Sequence, residues 1–193
     1  MLVILGVGKY SKKNNELFYS KWRNMLQRCY DPYYLNEKPT YINCYVCDEW
    51  HNFQNFAKWC EENYYKIKGQ KMHLDKDILI KGNKIYSPQT CCFVPENLNS
   101  LITKNDSIRN NLPIGVSWDK KKNKFISTCS IYNFENNKKK NKHLGYFDNI
   151  EDAFNIYKIV KEKEIKKRID YYKEYLPNNI YKALYEYKVE IND

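Results

Sequence analysis

The stretch Met72–Asn99, MHLDKDILIKGNKIYSPQTCCFVPENLN, constrains this chain more than any other, because acidic, amide and turn-forming residues crowd into it at non-periodic spacing. Leu74-Asp75-Lys76-Asp77-Ile78 alternates apolar and charged residues, the signature of a half-buried strand. Lys81-Gly82-Asn83-Lys84 supplies residues that tolerate positive φ, and Tyr86-Ser87-Pro88 turns the chain. Cys91-Cys92-Phe93-Val94 is a short apolar strand, and Pro95 is placed to open a helix through Glu96-Asn97-Leu98-Asn99. The spacing predicts strand, long loop, strand, helix, arranged as an active-site or former active-site unit.

With 193 residues and 42% hydrophobic content, the chain has enough length and apolar mass for one ordinary domain or two small ones, which excludes a disordered protein. Lysine and arginine number 33 against 23 aspartate and glutamate, a net charge of +10 that favours a polyanionic partner, nucleic acid first. No stretch approaches the roughly 20 apolar residues of a spanning helix, so no membrane partner is expected. The apolar opening Met1–Gly8 lacks a basic lead and a cleavage-like site, which predicts a cytoplasmic protein. Seven cysteines without a secretory signal read as reduced thiols. Cys44-Tyr45-Val46-Cys47 offers half a zinc site, with Cys91 and Cys92 as further thiolates, but adjacent cysteines rarely share one metal and no second CxxC exists. Zinc is not expected. The 19 tyrosines could stack on bases, although packing is their ordinary use.

Residues 9–16 read as a loose polar arm. From Leu17, Phe18, Trp22, Met25, Leu26 and Cys29 recur at helical spacing until Asp31-Pro32 stops the run. Lys21, Arg23 and Arg28 fall on its other faces, as solvated charge or as phosphate contacts. Tyr41–Cys47 alternates weakly as a strand, and Trp50, Phe53, Phe56, Ala57, Trp59 and Cys60 form a second helical stripe of core type. Residues 103–111 form a polar linker carrying Lys104 and Arg109, both candidates for DNA contact. Beyond it, Leu112–Trp118, Lys124–Tyr132 and Lys142–Phe147 alternate as three strands. Asp148 or Asn149 caps a helix with Ala153, Phe154, Ile156, Tyr157 and Val160 on one face, continuing to about Tyr172, and a short helix over Asn179–Tyr187 closes the chain.

Alternation places Ser117, Asp119, Lys121, Lys124, Ser127, Cys129 and Lys142 on the wet face of that sheet, where lysines reach phosphates and polar groups reach base edges. The same segment resembles the DNA-binding domain of the plant ethylene-response-factor (Apetala) family, also carried by phage and bacterial endonucleases. The likeness lies in Gly115-Val116-Ser117-Trp118-Asp119, Lys124-Phe125, His143-Leu144-Gly145-Tyr146-Phe147 and Glu151-Asp152-Ala153-Phe154 with Tyr157. It implies a three-stranded antiparallel sheet in the major groove of double-stranded DNA, buttressed by a helix.

Residues 17–102 resemble the HNH endonucleases of phages. The likeness runs through Trp22, Met25 and Arg28-Cys29-Tyr30, then Val46, Trp50, Phe53 and Phe56, then Leu74-Asp75-Lys76-Asp77, Gly82-Asn83, Tyr86-Ser87-Pro88, Phe93-Val94 and Asn99. It implies one divalent cation, Mg²⁺ or Mn²⁺, held by Asp75 and Asn99, oxygen ligands suited to a hard cation. Two positions depart from the family. Lys76 stands where the general-base histidine follows the metal-binding acid, and Thr90 stands where an asparagine orients that histidine. A lysine with its ordinary pKa of ~10.4 is protonated at neutral pH, so Lys76 could stabilise charge but not act as a base. His73 and Asp77 share the face of Asp75 on an extended strand. His73 is therefore a displaced base or a packing residue, and Asp77 a second ligand or a surface charge.

The expected fold is α+β: an arm over 1–16, an HNH-like ββα-metal unit with flanking helices over 17–102, a linker over 103–111, and a three-stranded antiparallel sheet packed on a helix over 112–193. The expected function is a metal-dependent, site-selective DNA endonuclease of homing or restriction type in a phage-infected bacterial cell. Its catalytic residues would be His73, Asp75, Lys76 and Asn99, with dimerisation one route to a double-strand cut. The alternative is a DNA-binding regulator or anti-defence protein on a nuclease scaffold that has lost its base.

Overall fold

A computed structural model of the chain describes residues 3–102, 112–136 and 138–192. It is α+β, and it divides into two compact units, Met1–Asn99 and Ser100–Asp193. Lys104 and Arg109 lie outside the described residues.

In the N-terminal unit, helix α1 (Glu16–Tyr30) buries Trp22, Met25 and Cys29, one residue per turn on a single stripe. Helix α3 (Phe53–Asn63) buries Phe53, Phe56, Ala57, Trp59 and Cys60. The Trp22 ring lies 5.4 Å from Phe53, and its indole Nε1 donates to the Trp50 carbonyl at 2.6 Å. Each such large side chain contributes on the order of 1.5–3 kcal/mol by leaving water. Asp31-Pro32 ends α1 and also starts a helix. The Asp31 carboxylate accepts from the amides of Tyr33 and Tyr34, and Pro32 fills the first turn of α2 (Pro32–Glu37).

Two local expectations fail here. The segment 41–47 is mostly not a strand: a 3-10 turn spans Pro39–Tyr41, Asn43 takes φ 67°, and only β1 (Tyr45–Val46) is extended. β1 pairs in parallel with β3 (Ile85–Tyr86), a partner that only the folded chain supplies. The arm is also not loose. The Gln54 side-chain amide donates to the carbonyls of Leu5 and Tyr10, the Tyr10 amide donates to Gln54, and Lys9 pairs with Glu61 at 2.8 Å.

Strands β2 (Met72–Asp75) and β4 (Cys92–Pro95) pair antiparallel, with Met72 opposite Pro95 and Asp75 opposite Cys92. Helix α4 (Glu96–Ile102) follows β4 directly. The predicted order of strand, long loop, strand and helix over 72–99 is observed, but the first strand is Met72–Asp75 and the expected strand residues Lys76-Asp77-Ile78 lie in a bend. In the C-terminal unit, β5 (Val116–Asp119), β6 (Lys124–Asn133) and β7 (Lys138–Phe147) form an antiparallel sheet with β6 in the centre. Helix α5 (Ile150–Tyr171), capped by the Asn149 side chain, packs across β6, and α6 (Asn178–Tyr185) packs on α5. Among the described residues, no helix is long and apolar enough to cross a membrane.

Candidate functional site

Strand β2 buries Met72 and Leu74 and leaves His73 and Asp75 partly exposed on its other side, while beyond the strand Lys76 is buried and Asp77 partly exposed. The chain bends after Asp75, whose Oδ1 accepts from the amides of Asp77 at 2.7 Å and Ile78 at 2.8 Å. Burial raises the Asp75 pKa, and the neighbouring Asp77 charge raises it further against those two amide bonds. A carboxyl group crowded in this way gains from a nearby cation.

Lys76 serves the loop. Its ammonium, on a side chain 7% exposed, donates to both Asp77 carboxylate oxygens and to the Asn83 carbonyl. Burial opposes its charge, but the Asp77 hydrogen bond and carboxylate more than offset this and hold its pKa above the ordinary value. These contacts hold the Lys76 ammonium within the loop. Asp77 is likewise engaged, by Lys76. Asn83 completes the loop by donating to the carbonyls of Lys76 and Ile85, and Thr90 Oγ1 donates to the Ile85 carbonyl.

His73 lies across from Val94, next to the start of α4, and its Nε2 comes 3.9 Å from Glu96 Oε1. That nitrogen is buried and has no hydrogen-bond partner among the described residues. Burial and the charge of Lys21 lower the His73 pKa, and the Glu96 carboxylate only partly offsets them. Glu96 and Asn99 are three apart on α4 and share a helix face, so the side of α4 that reaches His73 also carries Asn99. Glu96 was missed in the sequence, and Lys21 was left there between a solvated charge and a phosphate contact. The signal for Glu96 was its place directly after Pro95, two residues beyond the partner of His73.

The cysteines are all free, and six of the seven are buried. Burial pushes Cys29 up to about 12 and raises Cys60, Cys91 and Cys92 further. These thiols pack as small apolar groups. Among the described residues, no group of three or more histidine, cysteine, aspartate and glutamate side chains is placed to hold a metal. The pairing of Asp75 with the Asn99 amide falls outside groups of that kind.

On the C-terminal sheet the wet face differs from the expected one. Ser127 and Cys129 are buried, at 0% and 2% exposure, because β6 is the central strand and this parity lies under α5. They are withdrawn as contact residues. Asp119 spends its carboxylate on the amides of Lys121 and Lys122, which shapes the β5–β6 turn, and Lys124 pairs with Asp148 at 3.0 Å. Ser117, Lys121 and Lys142 are exposed as expected. Register brings further residues to the wet face: Ser117 aligns with Ile126 and Tyr146, and Thr128 with His143. Lys122 Nζ sits 3.7 Å from the Tyr146 ring centre, and the His143 ring 4.7 Å from it. Lys138, Lys139, Lys140 and Lys142 line the exposed edge strand β7. No family model, curated protein or solved structure matches this chain.

Proposed function

We propose that the protein is a metal-dependent DNA endonuclease of HNH type, in which the β2–β4–α4 unit cuts and the C-terminal sheet selects the site. One observation carries this reading: an antiparallel strand pair running directly into a helix sets His73 and Asp75 on one strand face and aims the Glu96 and Asn99 side of the helix at His73. The exposed lysines of β7 and the Lys122, Tyr146 and His143 group support a phosphate- and base-facing surface on the second unit.

Asp75 and Asn99 offer hard oxygen donors, and the crowding that raises the Asp75 pKa is what a bound cation would relieve. Mg²⁺ or Mn²⁺ there would stabilise the charge that develops on a phosphodiester during hydrolysis. Lys76 and Asp77 hold the loop that fixes Asp75, and His73 would accept a proton from attacking water.

A second reading, a DNA-binding regulator on the same scaffold, is favoured by one observation. Lys76 is built into the loop and Thr90 into the turn, so neither supplies the base or its orienting partner. The two readings separate in a nicking assay on plasmid DNA. Asp75→Ala and Asn99→Ala should each abolish metal-dependent cleavage while DNA retention stays within a few fold. Cleavage that survives in both variants would show that the site lies elsewhere.

A further inference from the structure

The sequence leaves Lys21 open between a solvated charge and a phosphate contact on α1, and the fold brings it to β2. Its ammonium donates to the Met72 carbonyl, the residue immediately before His73. Its surroundings are basic: burial lowers its pKa, the charges of Lys71 and Arg28 lower it further, and Cys60 and Glu96 offset this only in part. Among the described residues Lys21 forms no ion pair. Arg28, two turns along α1, lies on the same helix side.

A half-buried ammonium among like charges, with one carbonyl as its hydrogen-bond partner, carries a desolvation cost. An ammonium has three donors, and the Met72 carbonyl takes one. The bond holds the ammonium beside the strand that carries His73 and Asp75, with two donors left. A ligand that satisfies them must be anionic, accept hydrogen bonds and reach β2, as a phosphodiester oxygen does.

We propose that Lys21 is a phosphate-holding residue of this site, donating to a non-bridging oxygen of the DNA strand that lies along β2. The inference rests on the reading of the β2–β4–α4 unit as the place where DNA arrives. Lys21 thereby neutralises one phosphate and positions it against the His73 and Asp75 face. The Met72 bond keeps the long side chain from ranging over other conformations, so less side-chain entropy is lost on binding.

The test uses the full chain and duplex DNA in EDTA, so that no strand is cut. The salt dependence of the dissociation constant is compared among wild type, Lys21→Met and Lys21→Arg. One phosphate contact contributes about 0.9 to the slope of log K against log salt. Lys21→Met should lose about that much slope, and Lys21→Arg should keep it. An unchanged slope in Lys21→Met would overturn the proposal. In parallel, acetylation of the wild-type lysines is followed by mass spectrometry with and without DNA. Several-fold protection of Lys21 is expected, and equal modification would overturn the proposal even if Lys21→Met failed to fold. The nuclease reading fails separately: wild type that cuts nothing with Mg²⁺ or Mn²⁺, while Lys21 is still protected, keeps the phosphate contact and removes the chemistry.

Discussion

Gly115, at the entrance to β5, should tolerate no side chain. Its φ is +80°, and a Cβ there would lie 2.1 Å from Cδ2 of Tyr157, a buried ring on α5. Two costs follow: on the order of 1 kcal/mol for a left-handed conformation in a residue with a Cβ, and about 1–3 kcal/mol for forcing the ring out of a packed core. Gly115→Ala should therefore lose about 2–4 kcal/mol, which corresponds to a fall of roughly 10–25 °C in the melting of a unit this size. Gly82 is an internal control, since its φ is +76° but nothing lies within 4 Å of a Cβ. Gly82→Ala should show only the conformational cost. Chemical denaturation gives the totals, and native-state hydrogen exchange on β6 reports the C-terminal unit by itself. Equal losses in the two variants would refute the argument that Gly115 is required by close approach.

Three further outcomes follow from the same structure. Glu164 Oε1, on a side chain 4% exposed, accepts from the Tyr132 amide and from Arg168 Nε, each at 2.8 Å. Glu164→Ala should cost about 3–5 kcal/mol in urea unfolding, and Glu164→Gln, which keeps an acceptor, clearly less. Burial lowers the Lys161 pKa, with Arg168 and Lys139 adding to the shift while Cys129 and Glu164 oppose it. Between that lowered value and the ordinary 10.5, the unfolded chain holds more protons than the folded one, so this group's contribution to stability rises with pH. Melting of wild type relative to Lys161→Met, followed from pH 7 to 10, should rise, and a flat or falling difference would contradict the assignment. In the nicking assay, loss of cleavage in Asp75→Ala and Asn99→Ala with DNA retention intact remains the expected result.

The helices were legible because their signals are local. Trp22, Met25 and Cys29 mark one face of α1, and Asn149 caps α5, one of two candidates the sequence offered. The strand, loop, strand and helix order over 72–99 was legible for the same reason, from alternation followed by Pro95. What was not legible depended on distant partners. The β1–β3 pair joins two dipeptides from separate segments, and no periodicity announces a two-residue strand. The wet face of the C-terminal sheet was misread because Ser127 and Cys129 are polar or soft residues at positions covered by a helix that arrives later in the chain. Lys76 looked like a substituted catalytic residue, and only the folded loop reveals the Asp77 and Asn83 contacts that occupy it. Lys21 reaches the Met72 carbonyl and Glu96 reaches His73 from two different helices, a convergence that no single-segment reading could anticipate.

The central claim is that the β2–β4–α4 unit performs metal-dependent hydrolysis of DNA. The most direct measurement incubates the purified protein with plasmid and phage DNA in EDTA, Mg²⁺ and Mn²⁺, and follows strand cutting and DNA retention in the same samples. The account predicts retention in all three and cutting only with metal. Tight retention with no cutting under either metal would contradict it and leave a DNA-binding protein.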